Sequence, residues 1–143
     1  MKKVIFTILD GFGIREEQEG NAVKNANTKA IDKLIKEFPN SKLKASGEAV
    51  GLPQGQMGNS EVGHITIGSG RIINQPLQKI NKALEDKSFY NNEEILKGVK
   101  YAKENNSKLH ILGLLSDGGV HSHINHIFAL IDMAKKENIT KLY

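Results

Sequence analysis

Val4-Ile5-Phe6-Thr7-Ile8-Leu9-Asp10-Gly11-Phe12-Gly13 sets the fold class. Its first six residues are apolar or β-branched on both parities, the pattern of a strand buried on two faces, as in parallel sheets covered by helices. The run stops at Asp10, and Gly11 and Gly13 let the backbone turn close to whatever is bound there. In open parallel sheets the ligand crevice lies beyond the carboxyl ends of the strands, and Asp10 is expected at such an end. Taken alone, Asp10 would be read as an Asx-turn closing a strand.

Outward from this strand, helical and extended segments alternate. Residues 14–27 are polar and aperiodic and read as loop. Asn27 or Thr28 caps an expected helix with Ala30, Ile31, Leu34, Ile35 and Phe38 on one face, ended by Pro39. Ser41 to Ser46 reads as a short strand. Pro76 suits the first turn of a helix presenting Leu77, Ile80, Ala83 and Leu84. Asn92 opens another through Ile95, Leu96, Val99 and Ala102, closed at Asn105-Asn106. Lys108 to Leu115 is a second expected buried strand, and it too runs into Asp and Gly, at Ser116-Asp117-Gly118-Gly119. Ser122 then caps a helix with Ile124, Ile127, Leu130, Ile131 and Ala134 toward the core, Asn138 breaks it, and Ile139 to Tyr143 reads as the next strand. Strand, helix and strand in this order make a parallel βαβ unit. The class expected is therefore α/β, and the chain reads as the opening portion of a larger protein, its last strand cut at Tyr143.

Composition narrows the function. The 143 residues suffice for one modest core. Lys and Arg number 20 against 16 Asp and Glu, a formal net charge of +4, but the lysines are spread out and arginine occurs only at Arg15 and Arg71. With no basic block and few aromatics, nucleic-acid binding is not expected. The absence of cysteine rules out disulfides and thiolate metal sites. Val4 to Leu9 is too short for a signal h-region or a membrane span, so a soluble cytoplasmic protein without membrane contact is expected.

The chemistry centres on Gly58-Asn59-Ser60-Glu61-Val62-Gly63-His64. A Gly- and Pro-rich run precedes it and an apolar pattern follows, so Ser60 is expected to be the N-cap of a helix entered from a loop. There its hydroxyl would sit at the positive end of a helix dipole, a setting that suits phosphate. A serine in isolation would be only a cap; beside an acid such as Asp10 it forms a hard-cation site, since Mg²⁺ and Mn²⁺ prefer oxygen ligands. A divalent ion on the serine oxygen would favour the alkoxide and draw charge from an incoming phosphoryl group. His121, His123 and His126 could be imagined around zinc, yet His121 precedes the helix carrying the other two. His123 and His126 read better as capping or solvated, and His121, after two glycines at a strand end, as a substrate-binding residue. His64 and His110 read as ordinary packing. The nucleophile elbow, the phosphate loop and the dinucleotide fingerprint all fail: Val62 and Glu16 stand where a second and a third glycine are needed.

Asp10-Gly11-Phe12-Gly13, Met57-Gly58-Asn59-Ser60-Glu61-Val62-Gly63-His64 and Leu114-Leu115-Ser116-Asp117-Gly118-Gly119-Val120-His121-Ser122-His123 together resemble, in this order, the cofactor-independent phosphoglycerate mutases of the alkaline-phosphatase-like superfamily. The resemblance implies the N-terminal part of a three-layer α/β sandwich. Residues 1–75 would be the first segment of a split phosphatase-like domain, and residues 76–143 the truncated beginning of an inserted transferase-like α/β domain. It implies interconversion of 3-phosphoglycerate and 2-phosphoglycerate in glycolysis and gluconeogenesis through a phosphoserine. Ser60 would be the phosphoryl acceptor, Asp10 and Ser60 ligands of one of two Mn²⁺ (or Mg²⁺) ions, and His121 a substrate-binding residue. No bisphosphoglycerate is required, the only partner is the small-molecule substrate, and the full-length enzyme is expected to be a monomer. The remaining ligands lie later in the family's chain, so these 143 residues alone are expected to be inactive. Two other readings stay open: another metal-dependent phosphatase or phosphomutase of the superfamily, and a non-catalytic binding fragment.

Overall fold

Local capping signals account for most of the helices in the computed structural model, which describes residues 2–143. Helix α1 (Ala22–Asn25) is a single turn inside the segment expected to be loop. Asn21 creates it: its Oδ1 accepts from the Lys24 amide at 3.0 Å, while its Nδ2 donates to the carbonyls of Arg15 and Glu17. Buried and bonded at both ends, this side chain folds the polar stretch back on itself.

Helix α2 (Lys29–Glu37) follows Thr28 and stops at Phe38, before Pro39. Helix α3 (Ser60–Ser69) ends at Gly70 in the left-handed region. Helix α4 (Pro76–Glu85) has proline in its first turn, where the missing N–H removes no helical bond. Helix α5 (Glu93–Glu104) is capped by Asn92, whose Oδ1 accepts from the amides of Glu94 and Ile95. Helix α6 (Ile124–Lys136) is capped by His123, not by Ser122 as expected. The His123 ring nitrogen Nδ1 takes the Asn125 amide, and the Ser122 hydroxyl turns away to donate to the Leu114 carbonyl at 2.7 Å.

The extended segments depart most from expectation. Val4 to Leu9 and Ser41 to Ser46 are not strands; Val4 and Ile5 are 88% and 92% exposed. Among the described residues no second strand lies along either edge of them, and β structure exists only as pairing. The expected sheet comes down, among the described residues, to one parallel bridge between Leu109 and Leu142. Leu109 N–H donates to Lys141, Tyr143 N–H to Leu109, and Ile111 N–H to Tyr143, at 2.8–2.9 Å. These are the two strands expected to flank α6, in the parallel sense expected of them, but joined at one point only.

Burial is correspondingly local. Val50, Leu52 and Val62 form one cluster; Val99 and Ala102 of α5 and Ala129, Met133 and Ala134 of α6 are the other buried apolar residues. The inward face of α6 is thus centred on Ala129 and Met133, and Ile131, expected inside, is exposed. Helices α4 and α6 pack together, with His126 Nε2 2.7 Å from Asn81 Oδ1. Leu34 and Ile35 of α2, and Phe38 just after it, are more than half exposed. Among the described residues no helix is long and apolar enough to cross a membrane.

Candidate functional site

Three elements bring the site together: the turn after Leu9, a hydrogen-bonded loop over residues 46–58, and the start of α3. The loop holds its shape through backbone bonds. Gly47 N–H donates to Gln56, Leu52 N–H to Gly47, and Gln75 N–H to Gly51, at 2.8–3.0 Å. Two glycines permit the closure. A Cβ on Gly51 would run into the carbonyl of Ile73, and one on Gly58 into the carbonyl of Ala45. Val50 and Leu52 of this loop bury against Val62, one turn into α3, so the first turn of that helix is fixed to the loop by packing.

Asn59, not Ser60, is the N-cap of α3: its backbone is extended and its Oδ1 accepts from the Val62 amide at 3.1 Å. Ser60 is the first helical residue. The correction matters chemically, because a capping serine would have spent its oxygen on the backbone. Relieved of that role, the Ser60 hydroxyl donates to Asp10 Oδ2 at 2.6 Å, across fifty residues of sequence. Such a short bond to a charged acceptor belongs to the stronger class. Both groups are exposed, open to a ligand approaching the helix start, where the dipole places a partial positive charge.

His64, which the sequence reading assigned to packing, is a close neighbour of Ser60. Its Nδ1 lies 2.8 Å from the Ser60 carbonyl oxygen and 3.2 Å from Ser60 Oγ. The available signal was its spacing: four residues on from Ser60 in a helix is the same face.

The donors at Asp10 and Ser60 are a carboxylate and a hydroxyl, the oxygen chemistry that a hard divalent cation takes. They fit such an ion by type and would supply two of the about six oxygens it takes. Among the described residues no group of three or more His, Cys, Asp or Glu is placed to hold a metal.

No hydrogen bond joins His121 to Asp10 or Ser60 among the described residues. It is exposed and sits at φ 69°, a left-handed conformation uncommon for a residue with a Cβ. It follows Gly119, also left-handed, in a loop tied to the preceding segment by the Ile124 amide on the Ser116 carbonyl. The zinc alternative finds its histidines otherwise engaged: His123 caps α6 and His126 is bonded to Asn81. Burial, with a smaller contribution from nearby His123, holds the His126 imidazole below its ordinary pKa. His110 stacks on the Tyr143 ring at 5.4 Å, a packing role as expected.

Residues 80–143 match the family model described as BPG-independent PGAM N-terminus. The 2,3-bisphosphoglycerate-independent phosphoglycerate mutase of Onion yellows phytoplasma is 56% identical over 138 residues, covering 96% of this chain and 27% of that protein. The proteins of the same name from Mycoplasmoides gallisepticum and Clostridium tetani are 57% and 56% identical over 139 and 142 residues, covering 97% and 99% of this chain and 28% of each. The chain thus spans little more than a quarter of the length of these relatives.

Proposed function

We propose, for a chain that belongs to the family of 2,3-bisphosphoglycerate-independent phosphoglycerate mutases, that it carries the nucleophile of a mutase interconverting 3-phosphoglycerate and 2-phosphoglycerate. The observation that carries the reading is the 2.6 Å bond from the Ser60 hydroxyl to Asp10 at the start of α3. Asp10 holds the hydroxyl hydrogen on one side of Oγ and leaves lone pairs on the other for phosphorus. The α3 dipole and the first-turn amides stabilise the phosphate oxygens as they arrive. Ser60 takes the phosphoryl group, the glycerate reorients, and its other hydroxyl attacks the phosphoserine, so no bisphosphoglycerate is needed. His121 binds the glycerate.

Asp10 and Ser60 would be two ligands of one of two Mn²⁺ or Mg²⁺ ions, and such an ion supplies alkoxide stabilisation at Oγ. Two oxygens do not complete a hard-cation shell, so further ligands must come from outside these residues, and the chain by itself is inactive. Residues 1–75 belong to a phosphatase-like domain of the alkaline-phosphatase-like sandwich, and residues 76–143 to an inserted transferase-like one. The complete protein works as a cytoplasmic monomer.

The test is made in the complete protein carrying this sequence, supplied with Mn²⁺ and 3-phosphoglycerate. Ser60→Ala abolishes both 2-phosphoglycerate formation and phosphate trapping on the protein. Asp10→Asn weakens metal binding and depresses turnover, with partial recovery at high Mn²⁺. Undiminished turnover in Ser60→Ala sinks the reading, and release of inorganic phosphate in place of 2-phosphoglycerate turns it toward a phosphatase.

A further inference from the structure

We infer that His64 is a positioning residue for Ser60, acting as a hydrogen-bond donor through Nδ1 and not as a base. The argument starts from the Ser60 carbonyl. A carbonyl oxygen only accepts, so a ring nitrogen 2.8 Å from it carries the hydrogen. The same Nδ1 lies 3.2 Å from Ser60 Oγ. A nitrogen that already bears hydrogen cannot take one from the serine, and a Ser–His dyad through this atom is excluded. The N–H is shared between the carbonyl and Oγ, which accepts from His64 while donating to Asp10 at 2.6 Å. Two directional bonds on one oxygen select one serine rotamer. Without His64 only the Asp10 bond remains, and an exposed serine with a single bond readily changes χ1.

The arrangement needs α3 to be helical through its first turn, since only there do residues 60 and 64 share a face. Asn59 and the packed Val62 provide that. The imidazole is exposed, so its place on the helix is not a requirement of the core, and its replacement leaves the buried cluster of Val50, Leu52 and Val62 untouched.

This inference rests on Ser60 being the phosphoryl acceptor, and its test has a part that does not. The amide nitrogen of an asparagine at position 64 occupies roughly the place of Nδ1, whereas that of a glutamine reaches toward the place of Nε2. In the complete protein carrying this sequence, side-chain coupling constants measured by NMR report the Ser60 rotamer. A single rotamer is expected in the unsubstituted chain and in His64→Asn, and averaging in His64→Gln and His64→Ala. In the complete protein, kcat falls roughly ten- to a hundredfold in His64→Gln and His64→Ala with KM little changed, and His64→Asn recovers most of it. Equal rotamer populations in all four forms, or equal kcat in His64→Asn and His64→Gln, overturn the inference. Failure of Ser60→Ala to abolish turnover, with the rotamer pattern as expected, condemns the nucleophile assignment instead and leaves the His64 geometry standing.

Discussion

A Cβ on Gly58 would overlap the carbonyl of Ala45, while the Gly58 amide donates to Ser46 Oγ at 3.2 Å. Two residues later comes Ser60, so any shift that relieves the overlap is passed to it through Asn59. Gly58→Ala is expected to destabilise this part of the chain by roughly 1–3 kcal/mol, the usual cost of overpacking, and to lengthen the Ser60–Asp10 bond. Asn59→Ala removes the cap and is expected to cost about 1 kcal/mol of α3 stability. Amide exchange at Val62 to Thr66 measures both, and unchanged protection in either variant would show that the loop yields freely. The residue-scale reading from sequence singled out Asp10 and Ser60, which the structure joins by a hydrogen bond, because a carboxylate and a serine next to glycines are unusual company. It misplaced the cap by one residue because Asn59 and Ser60 are equally good capping types, and only the backbone distinguishes them. Asn59 is extended, and that choice is what leaves Ser60 Oγ for Asp10.

Helices were legible as elements because their signals are local: Pro76 in a first turn, Asn92 ahead of two glutamates, Pro39 and Asn138 as stops. Strands were not, because what makes Val4 to Leu9 a strand is a neighbour, and apolarity on both parities says only that covers are wanted. Lys108 to Leu115 and Ile139 to Tyr143 show the intermediate case, where one parallel bridge forms after α6. The contact of α4 with α6 carries a pH signature. His126, bonded to Asn81 and held below its ordinary value of about 6.5 chiefly by burial, binds fewer protons folded than unfolded. Stability therefore falls as pH drops through about 6.5 toward the lowered folded value, and is unaffected well above it. His126→Gln keeps a donor for Asn81 Oδ1 and does not titrate. Its denaturant midpoint is expected to lose less than that of the parent between pH 7.5 and pH 5.5. An equal loss in both would assign the acid sensitivity to other groups.

At the scale of the molecule, the exposed area is 11657 Å², against about 7,300 Å² for a compact monomer of this mass. Apolar groups contribute to the excess: Val4, Ile5 and Phe6, the α2 face of Leu34, Ile35 and Phe38, and Leu112, Leu114 and Leu115 are all exposed. Among the described residues only eight apolar ones are buried, in separate patches, so no single core there couples the loop around Ser60 to the α4–α6 contact. Cooperative unfolding needs such coupling, because each patch can otherwise open without the others. A compact two-state domain of 143 residues would absorb about 100 kcal/mol at its midpoint. The isolated chain is expected to fall well short of that, over a broad transition, and to bind a hydrophobic dye before heating. In the same preparation, mutase turnover with Mn²⁺ should stay at background, because Asp10 and Ser60 alone do not fill a metal shell. Calorimetry of the purified chain, read beside a coupled assay with 3-phosphoglycerate, checks both expectations. A sharp transition near 100 kcal/mol would mean that the apolar faces find partners within these 143 residues, and turnover above background would mean that the ligands do too.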